Sequence, residues 1–228
     1  MDDSTKREFK DQLYEQFERV AQALASARRL ELLDLLAQRE WSVEALAAET
    51  GMSVANTSRH LQILRAAQVV EVRREGSYLF YRLADERVFR VCQALRELAE
   101  VRLAEIDRIV QTFLKDRNAL DGVSVAELRR RLKDGGVVVL DVRPEGEYRA
   151  GHIAGARSVP LAELEARLRE IPKDQEVVAY CRGPYCVFAD EAVALLRARG
   201  YRARRFELGF PDWKARGLPV ERVSGGPA

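Results

Sequence analysis

The sequence predicts two domains: a mostly helical N-terminal domain that closes with a β-hairpin, and a C-terminal α/β domain. Three observations carry this. Apolar residues recur at helical spacing through most of residues 9–110, broken by two short alternating stretches on either side of Glu75-Gly76-Ser77. Beyond residue 136 the pattern changes to continuous apolar runs of strand type, at 137–142 and 177–179. The chain has 228 residues, 47% of them apolar, which gives length for two domains and material for their cores.

Taken in order, Phe9, Leu13, Phe17, Val20 and Leu24 mark an amphipathic first helix, for its own domain or for a partner helix in a dimer. Residues 27–37 form a second, with Leu30, Leu32, Leu33 and Leu36 inward. Ser42 caps a third at 43–50, where Glu44 sits in the first turn and Gly51 stops the helix in the left-handed position. Ser53 caps a fourth at 54–67, so that two short helices joined through Gly51 make a helix-turn-helix. On the fourth helix Thr57, Leu61 and Leu64 face inward and His60 borders them. Ala55, Ser58, Arg59 and Gln62 then face outward, with Asn56 and the capping Ser53 beside them. A small, polar face of this kind suits base edges in a major groove.

The hairpin 69–74 and 78–83 places Arg73 and Arg74 where a wing reaches phosphates, which adds affinity without reading sequence. A long helix is expected over 85–115. Its apolar arc includes Val88, Cys92, Leu95 and Ile106 and is broad enough for both its own domain and a second subunit. Cys92 is then a core residue, or alternatively a sulfur acceptor near the dimer interface.

Charge and cysteine content narrow the function. The net charge is +2, and residues 1–117 carry 19 basic and 20 acidic side chains, so neither half is a basic domain. The local excess lies between Ser53 and Arg82, with five Arg against two Glu. Three cysteines do not make a disulfide scaffold, and no signal peptide or long apolar span is seen. A cytoplasmic protein with reduced thiols and no membrane contact is expected. No cofactor is expected, and two His with three scattered Cys build no usual soft-metal site in one protomer.

Residues 115–122 read as a short linker. The domains are placed at 1–116 and 117–222, with a disordered tail at 223–228. Residues 125–132 form a short helix, and a fully buried strand follows at 137–142. The next strand ends at Cys181. A loop of Arg182, Gly183, Pro184, Tyr185 and Cys186 follows, and then a helix at 190–199. A cysteine at such a turn sits where backbone amides and a helix N-terminus favour a thiolate or persulfide. Cys186 either opens the next helix as a small residue or acts as a thiol that resolves the persulfide.

Two resemblances extend this reading. The order Asp141-Val142-Arg143, Glu147-Tyr148 to Gly151-His152-Ile153, the Cys181 loop and Gly209 to Trp213 resembles the rhodanese family. It implies an α/β domain on a central, mostly parallel sheet, with Cys181 carrying sulfane sulfur. By their positions, Asp141 is expected to hold loops together at its strand end and His152 to fix a turn rather than act as a base, while Arg143 and Arg182 each either orient an anionic sulfur donor or stand as surface charges. Phosphatases and arsenate reductases on this kind of fold use Cys-x5-Arg; here that position is Val187, so a sulfur substrate fits better. Gly51-Met52-Ser53 and the run from Ser58 to Arg65, with the hairpin after it, resemble the ArsR-type winged-helix repressors. That implies a homodimer on an inverted-repeat, double-stranded operator. The family's Cys-x-Cys metal ligands are absent from Glu40-Trp41-Ser42-Val43-Glu44, so metal sensing in the usual way is not expected. The combined expectation is a dimeric DNA-binding regulator that senses or transfers sulfane sulfur through a Cys181 persulfide. Beside it stand a sulfurtransferase tethered by its winged helix, and a thiol sensor of metalloids or electrophiles that uses Cys181 with Cys186.

Overall fold

The computed structural model describes residues 1–114 and 120–223. The chain forms two compact units, the first ending at Cys92 and the second beginning at Gln93. The boundary expected at 116/117 and most of the expected linker lie outside the described residues, as does nearly all of the expected tail. No helix among the described residues is long and apolar enough to cross a membrane.

The first unit begins with α1 (Asp3–Leu24) and α2 (Ala27–Leu36), followed by β1 (Trp41–Ser42), α3 (Val43–Thr50) and α4 (Val54–Ala66). The hairpin strands β2 (Val70–Glu75) and β3 (Tyr78–Leu83) complete a sheet in the order β1-β3-β2. The caps form as the residue types require. Ser42 Oγ accepts from Ala45 N and Ser53 Oγ from Asn56 N, each at 3.2 Å, and Gly51 holds φ at 66°. Leu32, Leu46, Leu61 and Leu64 are wholly buried, with Trp41 and Tyr81 beside them. The Trp41 indole N–H donates to Leu35 O at 2.9 Å, so the ring is buried without leaving its polar atom unpaired.

The long helix expected over 85–115 is instead two: α5 (Glu86–Arg102) and α6 (Ala104–Phe113). Leu103 between them is extended, with φ −117° and ψ 98°. Neither Gly nor Pro stands there, so no local breaker marks the division.

The second unit is built on five parallel strands, β4 (Gly122–Val123), β5 (Val137–Asp141), β7 (Arg157–Ser158), β8 (Glu176–Cys181) and β9 (Ala203–Gly209). Their order is β4-β9-β8-β5-β7. Helices α7 (Val125–Asp134), α8 (Glu145–Ala150) and α9 (Val187–Ala198) lie in the connections between them, α10 (Phe210–Ala215) follows β9, and β6 (His152–Ile153) pairs with β10 (Val220–Glu221). Side chains along a strand alternate between faces, so β8 serves two cores. Val177, Ala179 and Cys181 join the cluster under α9; Val178 and Tyr180 join the one with Phe206 and Trp213. That is why the run is apolar throughout. Helix α9 starts at Val187, three residues before the expected position, because Cys186 itself is the N-cap.

Leu61 has no exposed surface on α4. Leu61→Ala is expected to lower stability by about 3 kcal/mol through lost burial and a residual cavity. Denaturant unfolding followed by helical signal checks this.

Candidate functional site

Two regions carry chemistry. The first lies at the carboxyl edge of the parallel sheet, where open α/β sheets place their ligands. Cys181 ends β8 and is joined by a disulfide to Cys186 at the head of α9. Reduced thiols were expected here; five residues of separation around Gly183 and Pro184 let the loop fold back and bring the two sulfurs together. Cys186 N donates to Gly183 O at 3.2 Å, closing the turn. Cys181 is 1% exposed, while Cys186 is half-buried. The α9 N-terminus, whose amides favour a thiolate, therefore belongs to Cys186 more directly than to Cys181.

Main chain forms the floor of this loop. A Cβ on Gly209 would lie 2.3 Å from the carbonyl of Arg182 and 2.4 Å from Gly183 N. Glycine is required there for close approach of backbone to backbone, and its φ of −118° is ordinary.

Both arginines proposed to orient an anionic donor are engaged elsewhere. Arg143 is wholly buried. Its Nε donates to Asp141 Oδ1 at 2.9 Å and its Nη2 to Gly151 O at 2.8 Å. Asp141 also accepts from the Tyr180 hydroxyl at 2.5 Å, and that hydroxyl accepts from Ile153 N at 3.1 Å. Burial, aided by the Asp141 carboxylate, pushes the Tyr180 phenol well above its ordinary pKa, so it remains a donor. Asp141 thus ties together the ends of β5 and β8 and the segment at Ile153. Arg182 Nε donates to both oxygens of Glu147, at 3.0 and 3.1 Å, and the Glu147 side chain has no exposed surface. Arg143 is a strut with no face toward solvent, and Arg182 is bound to a buried carboxylate. His152 fixes a turn: its Nδ1 lies 2.9 Å from Tyr148 O and its ring stacks on Tyr148.

The second region is the outer face of α4. Ala55, Asn56, Arg59 and Gln62 are exposed, Ser58 is half-buried, and Thr57, Leu61 and Leu64 are buried. Burial and the charges of Arg29, Arg59 and Arg28 hold His60 below its ordinary pKa, which keeps it neutral at pH 7.

A family model described as bacterial regulatory protein, arsR family, matches residues 26–72, and one described as rhodanese-like domain matches 124–216. The HTH-type transcriptional regulator Rv0324 of Mycobacterium tuberculosis (strain ATCC 25618 / H37Rv) is 44% identical over 209 residues, 92% of each chain. The chain belongs to the arsR family, in a form fused to a rhodanese-like domain. A sulfurtransferase of Allochromatium vinosum is 32% identical over 109 residues, which cover 47% of this chain and 98% of that protein. The solved homodimeric winged helix-turn-helix DNA-binding domain of Mb0332 from Mycobacterium bovis is 46% identical, with a TM-score of 0.39, over 41% of this chain and 87% of that one.

On the wing, Arg73 is held by two carboxylates, Glu40 at 2.8 Å and Glu75 at 2.6 Å. Its hydrogen bonds to Glu40 and Glu75 raise its pKa. Arg74 Nε donates to Gly76 O at 3.1 Å across the turn. Ser53 spends its hydroxyl on the α4 cap. Cys92 stands outside the disulfide, half-buried against the winged-helix core. Sequence reasoning missed Glu147, Tyr180 and Glu40. The Arg73–Glu75 pair was open to it, since residues two apart share one face of a strand. Glu147 and Glu40 pair across 35 and 33 residues, beyond any local pattern.

Gly209→Ala is expected to displace the 181–186 loop and lower stability by about 1–3 kcal/mol, the range for an overpacked site. Thermal unfolding gives the magnitude, and faster hydrogen exchange confined to the loop and the end of β9 gives the location.

Proposed function

We propose that this arsR-family regulator binds its operator as a homodimer and that its rhodanese-like domain takes up sulfane sulfur at Cys181. The observation that carries the reading is the Cys181–Cys186 pair at the carboxyl edge of the sheet, in the same chain as an exposed recognition face.

The chemistry needs no outside oxidant beyond the donor. Cys181 thiolate attacks the outer sulfur of thiosulfate or a polysulfide and forms a persulfide. Sulfite or a shorter polysulfide leaves with the electron pair of the broken S–S bond. Cys186 then gives up its proton and attacks Sγ of Cys181. The disulfide forms, and the outer sulfur departs with its electron pair and that proton as hydrosulfide. Two thiols are oxidised and one sulfane sulfur is reduced to sulfide. The placement of Cys186 at the N-cap of α9 favours its thiolate, which supports its role as the resolving group.

On DNA, Arg59, Gln62 and Asn56 read base edges from α4, with Ala55 and Ser58 in close contact and Ser53 shaping the helix start. Arg74 meets phosphate from the wing; Arg73 does so while Glu40 and Glu75 offset its charge. Gln62→Ala or Arg59→Ala should cost about 1–3 kcal/mol on the cognate operator and little on random DNA. Arg74→Ala should weaken both alike and reduce the salt slope by about one. Binding titrations at several salt concentrations separate the two classes.

Dimerisation is supported by apolar surface that each unit leaves exposed. Phe9, Tyr14 and Phe17 on α1 are each more than half exposed, as are Leu98 and Val101 on α5 and Phe113 on α6. Phe17→Glu is expected to shift the chain toward monomer in sedimentation and to weaken operator binding with it.

The deciding experiment measures operator affinity before and after polysulfide, with Cys181→Ser in parallel. A change of at least fivefold in the wild type that disappears in the variant supports the sensor reading. Identical affinity in every case removes it.

A further inference from the structure

Helix α5 is one continuous helix from Glu86, in the first unit, to Arg102, in the second. Within the second unit its last two turns meet the Cys181–Cys186 loop region at two places. At the tip of the loop, the Tyr185 hydroxyl donates to Glu100 Oε1 at 2.7 Å. At its floor, Arg96 pairs with Asp212, whose side chain is 1% exposed. Asp212 in turn accepts from Gly209 N at 3.1 Å, and Gly209 lies directly against Arg182 and Gly183. Arg96 also lies 3.8 Å from Glu100, which joins the two places along one face of α5.

The two places differ in how the disulfide affects them. The floor is main chain on the β9 side, held by a buried carboxylate. The tip is Tyr185, next in sequence to Cys186, 42% exposed and hydrogen-bonded through its hydroxyl to Glu100. The sulfur bond fixes Cys186, the neighbour of Tyr185 in sequence, against Cys181, so the state of that bond bears on where Tyr185 sits. Glu100 stands one turn from Arg96, which the buried Asp212 anchors.

We propose that Tyr185 and Glu100 are a positioning pair that reports the covalent state of Cys181 and Cys186 to helix α5. The hydrogen bond belongs to the disulfide state and is released in the dithiol. This deepens the sulfur-sensing reading and rests on it for what the signal means. The pair itself responds to the thiol–disulfide state whatever reagent sets it. Reciprocity gives the proposal an observable of its own: a bond made in only one state must shift the equilibrium between the states.

The test uses the full chain equilibrated with mixtures of reduced and oxidised glutathione. Two glutathione thiols and the protein disulfide exchange for the protein dithiol and one glutathione disulfide. Alkylation and intact mass then read the dithiol fraction. Tyr185→Phe and Glu100→Ala are each expected to move the equilibrium about three- to tenfold toward dithiol, the range for one ordinary hydrogen bond at a solvent-exposed site. The double variant should move it no further than either single one. An equilibrium within twofold of wild type for Glu100→Ala, or shifts that multiply in the double variant, overturns the proposal. Operator binding supplies a second arm. In Glu100→Ala the ratio of affinities between oxidised and reduced protein is expected to fall toward one. Coupled exchange with a wild-type ratio already at one supports the positioning pair and refutes sulfur control of DNA binding, which separates the two claims.

Discussion

The carboxyl edge of the parallel sheet depends on two carboxylates buried beneath the loops that they hold. Asp141 gathers Arg143 and the Tyr180 hydroxyl; Glu147 takes Arg182. Such pairs add little to net stability compared with apolar packing, yet removing one partner leaves a charge that water cannot reach and costs about 3–5 kcal/mol. Their effect is therefore to specify geometry. Arg182 follows Cys181 directly, so fixing its side chain fixes the course of the chain as it leaves β8. Tyr180 precedes Cys181, and its hydroxyl locks the other side of the same strand end. Between two such anchors the sulfur of Cys181 has one place to be.

The alternation along β8 explains how this precision is reached with ordinary residues. Odd-numbered positions from Val177 to Cys181 pack under α9, and even-numbered ones pack toward Phe206 and Trp213. A slip of one residue would put Tyr180 under α9 and Cys181 in the opposite core. Register and chemistry are thus set by the same pattern. The winged-helix unit uses the analogous device on α4, where the spacing of Thr57, Leu61 and Leu64 leaves the polar side chains on the outside.

Much of this was legible in the sequence because it is written in local patterns. The caps at Ser42 and Ser53, the stop at Gly51, the hairpin and the inner face of α4 each follow from residues within a few positions of one another. Motif order carried the α/β half and placed Cys181 at a strand end. What escaped has a common cause. The pairing of Arg182 with Glu147 and of Arg73 with Glu40 spans tens of residues, and an isolated Glu looks the same whether it is solvated or buried. The break at Leu103 has no glycine or proline to announce it. The start of α9 was set too late because Cys186 is a poor cap by composition and takes the position through the turn that precedes it.

The sulfur bridge spans only five residues of sequence, and this limits what it does for the fold. In the chain-entropy picture so small a ring restrains the unfolded chain by about 2 kcal/mol, well below what a ring of a hundred residues would give. The carboxylate anchors at Asp141 and Glu147 are made by other side chains and do not include the sulfur bond. The bridge is thus a local fastening: little of the fold's stability rests on it, so its chemistry is separable from folding.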